Sequence, residues 1–516
     1  MAMRAGWRGI NKQELNVKMK KYILLLSLVI VTSGIIAQYN NPPGLDQIRL
    51  EDLKRDLFTL ASANFKGRSA GTIDELKACA WLAGQYQSIG LKPAGDEGSY
   101  FQFFTLLRKQ ISSNSTIEIN GSPLQLWKDA AISQIANINL SAPIVYLGNA
   151  GNIDTNGADV KDRVIAFEAN SKGINLDISL PTWRYNRYVF VKYGMPLLKR
   201  GAKAIIIIAD KEAEIAWDDA VENFKRGSFD LFGETNQNIS ARSAQSIAAT
   251  APVIWLRARA KEELQNNAAT IKINLQVTEY SYPSVNVVGM VVGTDPKLRS
   301  EYVLYSGHSD AHGIRNIIKG DSIYYGADDN ASVDVAMLAN ARAFAKYPSR
   351  RSVLFVIHGA EERGLFGSTY FSRHPTVPIE NIVAVLNGDM IGRNNTDSAA
   401  ILGYKPPHRN SLELVNMAIT ANNEGPHFIL DTTWDNPMHV EAWYFRSDHL
   451  PYARLGIPAI MYTSLLEPDY HTPQDNAENI NYPKLQKMAE WMYRTGWKAA
   501  NIAVRPARDK DFRLER

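Results

Sequence analysis

All nine histidines of the 516-residue chain lie between positions 308 and 471, several beside acidic residues. Ser306-Gly307-His308-Ser309-Asp310 follows the apolar run Val303-Leu304-Tyr305. A histidine at the C-terminal end of a strand stands where open α/β sheets gather their sites. Asp310, two residues on, could orient its imidazole. Gly326-Ala327-Asp328-Asp329-Asn330-Ala331-Ser332 opens a helix expected over residues 331–346. Acids there are ordinary caps, yet adjacent side chains diverge, so one can cap while the other faces a metal. Gly359-Ala360-Glu361-Glu362-Arg363-Gly364 follows the run 353–357. Two carboxylates at the end of a buried strand are costly without a cation or a proton. One as metal ligand and one as general base would account for the pair; the bland alternative is an acidic surface turn. Asp389 follows the strand-like run Ile382–Leu386, and Asp469-Tyr470-His471-Thr472-Pro473 follows Ala459–Tyr462.

Nitrogen and oxygen donors without thiolates suit zinc, ahead of manganese or cobalt. Five such ligands with one shared carboxylate suffice for two ions, which in such sites stand about 3.5–4 Å apart. The single cysteine, Cys79, excludes an intramolecular disulfide framework and a multi-cysteine zinc site. It lies in the helix-like run Leu76–Ala83 and reads as a small buried hydrophobe.

The elements that must position these groups form an α/β pattern. Residues 46–66 and 73–89 read as amphipathic helices, with Leu50, Leu53, Leu57 and Leu60 at helical spacing. Residues 126–272 have another texture: short strand-like runs at 143–147, 163–167, 204–209 and 252–256, a few helices and no histidine. From about residue 283 buried strands alternate with helices at 331–346, 412–422 and 482–504, which implies a sheet covered on both faces. Residues 38–125 and 273–505 thus form one catalytic domain interrupted by 126–272, and the charged tail 506–516 is expected to fray.

The net charge of +4 hints at an acidic partner. The first 37 residues, however, carry six of the 57 basic residues and one of the 53 acidic ones. Lys18, Lys20 and Lys21 precede the apolar run 23–31 and small residues follow, the layout of a secretory signal peptide with a cut after Ala37. The apolar run is short for a span. What remains is almost neutral, so nucleic acid loses its support, no membrane span is expected after cleavage, and a secreted or periplasmic location is. Oligomeric state is not readable.

Together these motifs resemble peptidase family M28, zinc aminopeptidases with a phosphorylase/hydrolase-like three-layer α/β sandwich and a mixed central sheet. The resemblance spans nearly the whole chain after residue 37. It rests on His308-Ser-Asp310, Gly-Ala-Asp-Asp329-Asn-Ala-Ser, Glu361-Glu362-Arg-Gly-Leu-Phe-Gly-Ser, Asp389-Met-Ile-Gly and Tyr470-His471-Thr-Pro, in that order. Arg446-Ser-Asp-His449 and Lys66-Gly-Arg-Ser-Ala-Gly71 agree with it; Val333, where the family commonly has glycine, departs from it. Residues 126–272 resemble a protease-associated (PA) domain, most of all at Gly201-Ala-Lys-Ala-Ile-Ile-Ile-Ile.

The resemblance implies two zinc ions, bridged by Asp329. Glu362 and His471 complete one site and His308 and Asp389 the other; Asp328 is a neighbour. It implies Glu361 as general base, Asp310 as the acid orienting His308, and Tyr470 as oxyanion donor. The implied substrate is a peptide with a free N-terminus. Arg446 reads either as a contact for a substrate carboxylate or as a structural ion pair. Trp434, Trp443 and Tyr444 are candidates for lining the side-chain pocket. Competing functions are glutaminyl cyclisation, cleavage of dipeptides or C-terminal residues, and, in another class, metal-free binding.

Overall fold

The computed structural model describes residues 41–154, 157–174, 184–233, 251–265, 269–439 and 441–515. The expected signal peptide, residues 1–37, lies outside the described residues. Among these, no helix is long and apolar enough to cross a membrane.

The larger sheet contains β1 (Phe101–Ile111), β2 (Ser228–Leu231), β3 (Val277–Val291), β4 (Tyr302–His308), β5 (Ser352–His358), β6 (Ile382–Gly388), β7 (Ser398–Leu402), β8 (Ile429–Leu430) and β9 (Ala459–Thr463). They lie in the order β8-β7-β9-β6-β4-β5-β3-β1-β2, and Lys92–Pro93 pairs with β3. The central four, β5, β4, β6 and β9, are parallel, so their C-terminal ends open on one edge. Strands covered on both faces read as unbroken apolar runs, as Val353-Leu354-Phe355-Val356-Ile357 does.

Alternate side chains of these strands enter two different cores. Val303, Tyr305, Val353, Phe355 and Ile357 pack with helices α1 (Leu50–Leu60), α2 (Ile73–Ile89), α3 (Ser332–Lys346) and α7 (Tyr482–Asn501). Leu304, Leu354, Val356 and Val385 pack with α4 (Phe366–Arg373) and α6 (His449–Arg454) through Phe371 and Tyr452. The result is the expected three-layer sandwich with a mixed sheet. Leu53, Leu57 and Leu60 of α1 are fully buried, as their spacing predicts, and truncating any one to alanine costs roughly 2–5 kcal/mol. Cys79 is buried in α2.

The inserted unit has its own eight-stranded sheet, with three successive parallel pairings joining Ile138–Asn149, Val164–Glu168, Ala204–Ile208 and Val253–Leu256. Its limits differ from 126–272. Thr116–Ile119 pairs with Thr270–Leu275 inside this sheet, so the unit begins before residue 126 and ends after 272. Ser228–Leu231, inside the interval, instead forms the edge of the catalytic sheet by pairing with β1. β1 and β3 run antiparallel from Phe101↔Val287 to Ile111↔Val277, a continuous ribbon that ties the unit to the sheet.

The tail does not fray. Within it Asp509 pairs with Arg409 and Glu515 with His408, and Arg505 just before it pairs with Glu301. Phe512 is buried among Leu304, Val385 and Tyr452. Charge density suggested solvent, but Asp509 and Glu515 have partners on the catalytic domain and Phe512 anchors the segment in its core.

One buried cation holds the site edge together. Arg68 is fully buried. It donates to the carbonyl oxygens of Ser309 (2.6 Å), Leu60 (3.0 Å), Tyr325 (2.7 Å) and Gly326 (2.8 Å). It thereby joins the end of α1, the loop after β4 and the turn before Asp328. Arg68→Met strands these carbonyls, and breaking such a buried charged network costs about 3–5 kcal/mol. Urea unfolding should show that loss; a cost below about 1 kcal/mol, the worth of one ordinary hydrogen bond, would rule out the clamp.

Candidate metal centre

His308 is the last residue of β4. Its Nδ1 lies 3.1 Å from the Asp310 carbonyl oxygen; with Nδ1–H donating there, Nε2 is left as the electron-pair donor. That Nε2 is 3.3 Å from Asp329 Oδ1, 3.8 Å from Glu361 Oε2 and 3.9 Å from Asp389 Oδ1. The other Asp329 oxygen, Oδ2, is 3.0 Å from His471 Nε2, which is 3.1 Å from Glu362 Oε1. Asp329 therefore faces two nests, His308–Asp389 on one side and Glu362–His471 on the other. Nitrogen and oxygen ligands about 2.0–2.1 Å from a tetrahedral zinc stand about 3.3 Å from one another; the distances here run from 3.0 to 3.9 Å around that value. His308 Nε2 and Glu362 Oε1 are buried without a hydrogen-bond partner, as donors reserved for a cation would be.

Backbone contacts hold the ligands. The Asp310 carboxylate accepts from the backbone N–H of Glu361 (2.9 Å) and Glu362 (3.2 Å). Its Oδ1 is 3.7 Å from His308 Nδ1. Asp310 therefore contacts the histidine through both its carbonyl and its carboxylate, and the carboxylate also fastens the Glu361–Glu362 turn. Asp475 does the same for the neighbouring loop, accepting from Asp328 N (2.6 Å) and Asp329 N (3.1 Å). Asp328 accepts from Gly392 N at 2.6 Å, so it caps no helix and instead ties its loop to the segment after Asp389. Asn330 ties this loop to β6 and the residue after Asp389, donating to Gly388 O (3.1 Å) and accepting from Met390 N (3.2 Å).

The turns are sharp. Ala360, Met390 and His471 have φ of 55°, 56° and 58°, left-handed conformations that L-residues adopt at a cost and that cluster at functional sites. Gly326, at φ 58°, has no room for a side chain: a Cβ would stand 2.4 Å from Asp329 O.

Burial and mutual repulsion push the carboxyl groups up. Burial, with Asp329 beside it, raises Asp389 to about 8. Burial, with Glu362 and Asp389 adjacent, holds Glu361 well above the usual range. Burial raises Asp310 to about 6 and Asp448 to about 7. Burial opposes charging of His308, but Glu361, Asp329 and Asp389 outweigh it and raise it. Asp329 is likewise penalised by burial, yet His308 and His471 hold it below the usual range.

Tyr470 stacks on the His471 ring, centroids 3.6 Å apart. Arg446 donates to the Tyr470 hydroxyl at 2.9 Å and pairs with Glu441 at 2.8 Å. Arg446 thus makes a structural ion pair while also lining the cavity. Trp443 and Phe445 line the cavity of about 380 Å³ over the nests. Trp434 packs edge-on behind Trp443, centroids 5.9 Å apart. Tyr444 does not line the cavity: it is fully buried, stacked on His408 at 4.2 Å.

Sequence reasoning missed His312, whose Nε2 is 3.3 Å from Glu362 Oε2. Its position four residues after His308 was the available signal. It also missed the arginines of the cavity wall, Arg184 and Arg226 of the inserted unit and Arg315 of the hairpin Gly313–Ile318/Asp321–Tyr324, for which a single sequence carries no local signature.

Residues 286–495 match the model of peptidase family M28, and these residues contain every ligand candidate above. The chain thus carries a peptidase family M28 domain over those residues. It is therefore a metallopeptidase. Aminopeptidase YwaD of Bacillus subtilis (strain 168) is 22% identical over 508 residues, covering 95% of this chain and 96% of its own. Among solved structures, the aminopeptidase from Aneurinibacillus sp. strain AM-1 matches with a TM-score of 0.57 at 19% identity, over 91% of this chain and 98% of its own. A zinc aminopeptidase from Bacillus subtilis matches with a TM-score of 0.53 at 18% identity, over 88% and 96%. At these identities the structural likeness is one of fold, and it extends through the inserted unit.

A group behind the centre makes stability pH-dependent. Glu75 of α2 is fully buried and interacts with Ser284 Oγ (2.6 Å) and Gly71 N (2.6 Å). Burial, with Asp310 nearby, raises it to about 8 from an ordinary 4.5. A folded pKa above the unfolded one means stability is fully present below the lower value and is lost as pH rises to the upper. Glu75→Gln copies the protonated form and removes that slope. Urea midpoints should favour the variant progressively from pH 5 to pH 8; a constant difference between variant and parent across that range would exclude this assignment.

Proposed function

We propose that the chain is an exported dinuclear zinc aminopeptidase that removes N-terminal residues from peptides. The observation that carries this reading is the pair of nests sharing Asp329, with Glu361 at their rim. His308, Asp329 and Asp389 would hold one ion, and Asp329, Glu362 and His471 the other. When bound, zinc supplies Lewis acidity for the scissile carbonyl and lowers the pKa of water towards neutral. Names of relatives support both zinc and the aminopeptidase activity. Export rests on the layout of residues 1–37, and the inserted unit is read as a protease-associated domain.

The chain's own groups divide the remaining work. Glu361 takes a proton from the attacking water and returns it to the leaving nitrogen, as a carboxylate 3.8 Å from His308 Nε2 at the edge of the nests can. The Tyr470 hydroxyl accepts from Arg446, so its own proton is free to be donated to the carbonyl oxygen as negative charge develops. The carboxylates of the rim, Glu361 and Glu362 among them, attract the substrate's α-ammonium group. Anchoring that group beside the scissile carbonyl restricts cleavage to chain ends.

Glu361→Gln should keep its metal and lose about 10²–10⁴ in turnover, the usual contribution of a positioned base. An aminoacyl anilide assay on the zinc-loaded variant measures this, and full activity would remove Glu361 from the role. Metal analysis of the parent should give two zinc ions per chain, with hydrolysis lost on chelation and restored by zinc. A stoichiometry of one in active protein would exclude the shared-carboxylate reading and favour a mononuclear reaction such as glutaminyl cyclisation.

A further inference from the structure

The cavity wall carries more positive charge than a neutral peptide needs. Six arginines and four carboxylates line it. Two of the arginines, Arg184 and Arg446, are matched by Glu441, at 2.6 and 2.8 Å. Three others come from three separate elements. Arg226 ends the helix Trp217–Lys225 of the inserted unit, Arg315 sits on the hairpin strand Gly313–Ile318, and Arg363 follows Glu362.

Among the described residues none of these three has a carboxylate within ion-pair distance. Nη2 of Arg226 and Nη2 of Arg315 are buried and donate to nothing. Their packing holds them in place without neutralising them. Arg315 lies over the Tyr324 ring, 5.1 Å from its centroid, and Arg363 over Phe229, 5.4 Å from its centroid. Arg363 also donates to Ser69 Oγ at 2.9 Å. The Arg226 carbonyl is fixed by Arg108 at 2.7 Å. Cations stacked on aromatic faces keep their in-plane N–H groups free for a further acceptor. Buried donors of this kind are costly unless something accepts from them, and carboxylate is the planar anion a peptide can offer to a guanidinium.

We infer that Arg226, Arg315 and Arg363 form an anion-recognition wall that selects peptides bearing a carboxylate within one residue of the scissile bond. The carboxylate is either an acidic side chain or the C-terminus of a dipeptide. This rests on the peptidase function proposed above and adds its substrate class. Burial and the like charges of Arg363 and Arg315 hold Arg226 well below the usual arginine range, so an arriving carboxylate also relieves repulsion within the wall.

The test gives zinc-loaded enzyme four peptides: Ala-Ala-amide, Ala-Ala, Ala-Asp-amide and Asp-Ala-amide. At least one carboxylate-bearing peptide should exceed Ala-Ala-amide tenfold or more in kcat/KM. Preference for Ala-Ala places the anion at the C-terminus, and preference for either aspartyl peptide places it on a side chain. Arg315→Gln and Arg363→Gln should each reduce that preference at least fivefold, mainly through KM. Arg315→Glu should shift it towards Ala-Lys-amide, which a merely structural role would not do. Circular dichroism melting identifies any variant that fails to fold, and two positions are used so that one such failure leaves the other to decide. Equal rates on all four peptides would overturn the wall and leave the aminopeptidase reading standing. Hydrolysis of none would overturn both.

Discussion

Repulsion among buried carboxylates at the C-terminal ends of four parallel strands is the constraint that the rest of the structure answers. Two unit charges 4 Å apart interact by about 4 kcal/mol at the effective dielectric of a protein site. Asp310, Asp328, Asp329, Glu361, Glu362, Asp389 and Asp475 all lie around one edge of one sheet. Three kinds of partner make this tolerable. Backbone N–H groups take the charge of Asp310, Asp475 and Asp328. The buried guanidinium of Arg68 adds a positive charge close behind them. The carboxylates left over, with His308 and His471, are arranged as nests that fit cations.

These answers require backbone geometry that no single element supplies. A parallel strand delivers its last residue to the edge, but the ligand is often one or two residues beyond, where the chain must turn back at once. Hence Ala360 precedes Glu361 and Met390 follows Asp389 in left-handed conformations. Such turns persist because neighbouring loops lock one another. Asp310 fastens the turn carrying Glu361 and Glu362, Asp475 the turn carrying Asp329, and Asn330 the approach to Asp389. The nests are therefore formed by mutual bracing of loops, with the sheet as their common base.

What the sequence made legible was what is local. Apolar runs ending in His308, Glu361–Glu362 and Asp389 announce strands and their edge within a few residues, and helix periodicity places Leu53, Leu57 and Leu60 inward. Partners distant along the chain leave no such trace. Asp475 braces Asp328 from 147 residues away and Arg68 reaches Ser309 across 241. The Asp310 carboxylate lies near the histidine two residues before it, but its hydrogen bonds go to N–H groups about fifty residues on, which leave no local trace. The inserted unit was recognised by texture but not by limits. Thr116–Ile119 alternates like an ordinary surface strand, and Ser228–Leu231 is too polar to suggest that it leaves one sheet for another. The tail misled because its ion pairs are all with distant residues.

The inserted unit belongs to the working edge of the enzyme more fully than an interruption of the sequence suggests. It contributes a strand to the catalytic sheet through β2 and is carried on the β1–β3 ribbon, so its position is set by ladder hydrogen bonds as well as by side chains. From that position Arg184 meets Glu441, which also holds Arg446, which in turn holds the Tyr470 hydroxyl. Arg184 also lies over the Tyr470 ring, 5.8 Å from its centroid. One carboxylate with two guanidinium partners is a stiff link, because moving either cation leaves the shared charge undercompensated. The hydroxyl beside the nests is thus positioned jointly by both units. Shifting the insert would therefore disturb the Tyr470 hydroxyl at the cavity wall, so the shape of the cavity and the position of that hydroxyl are set together.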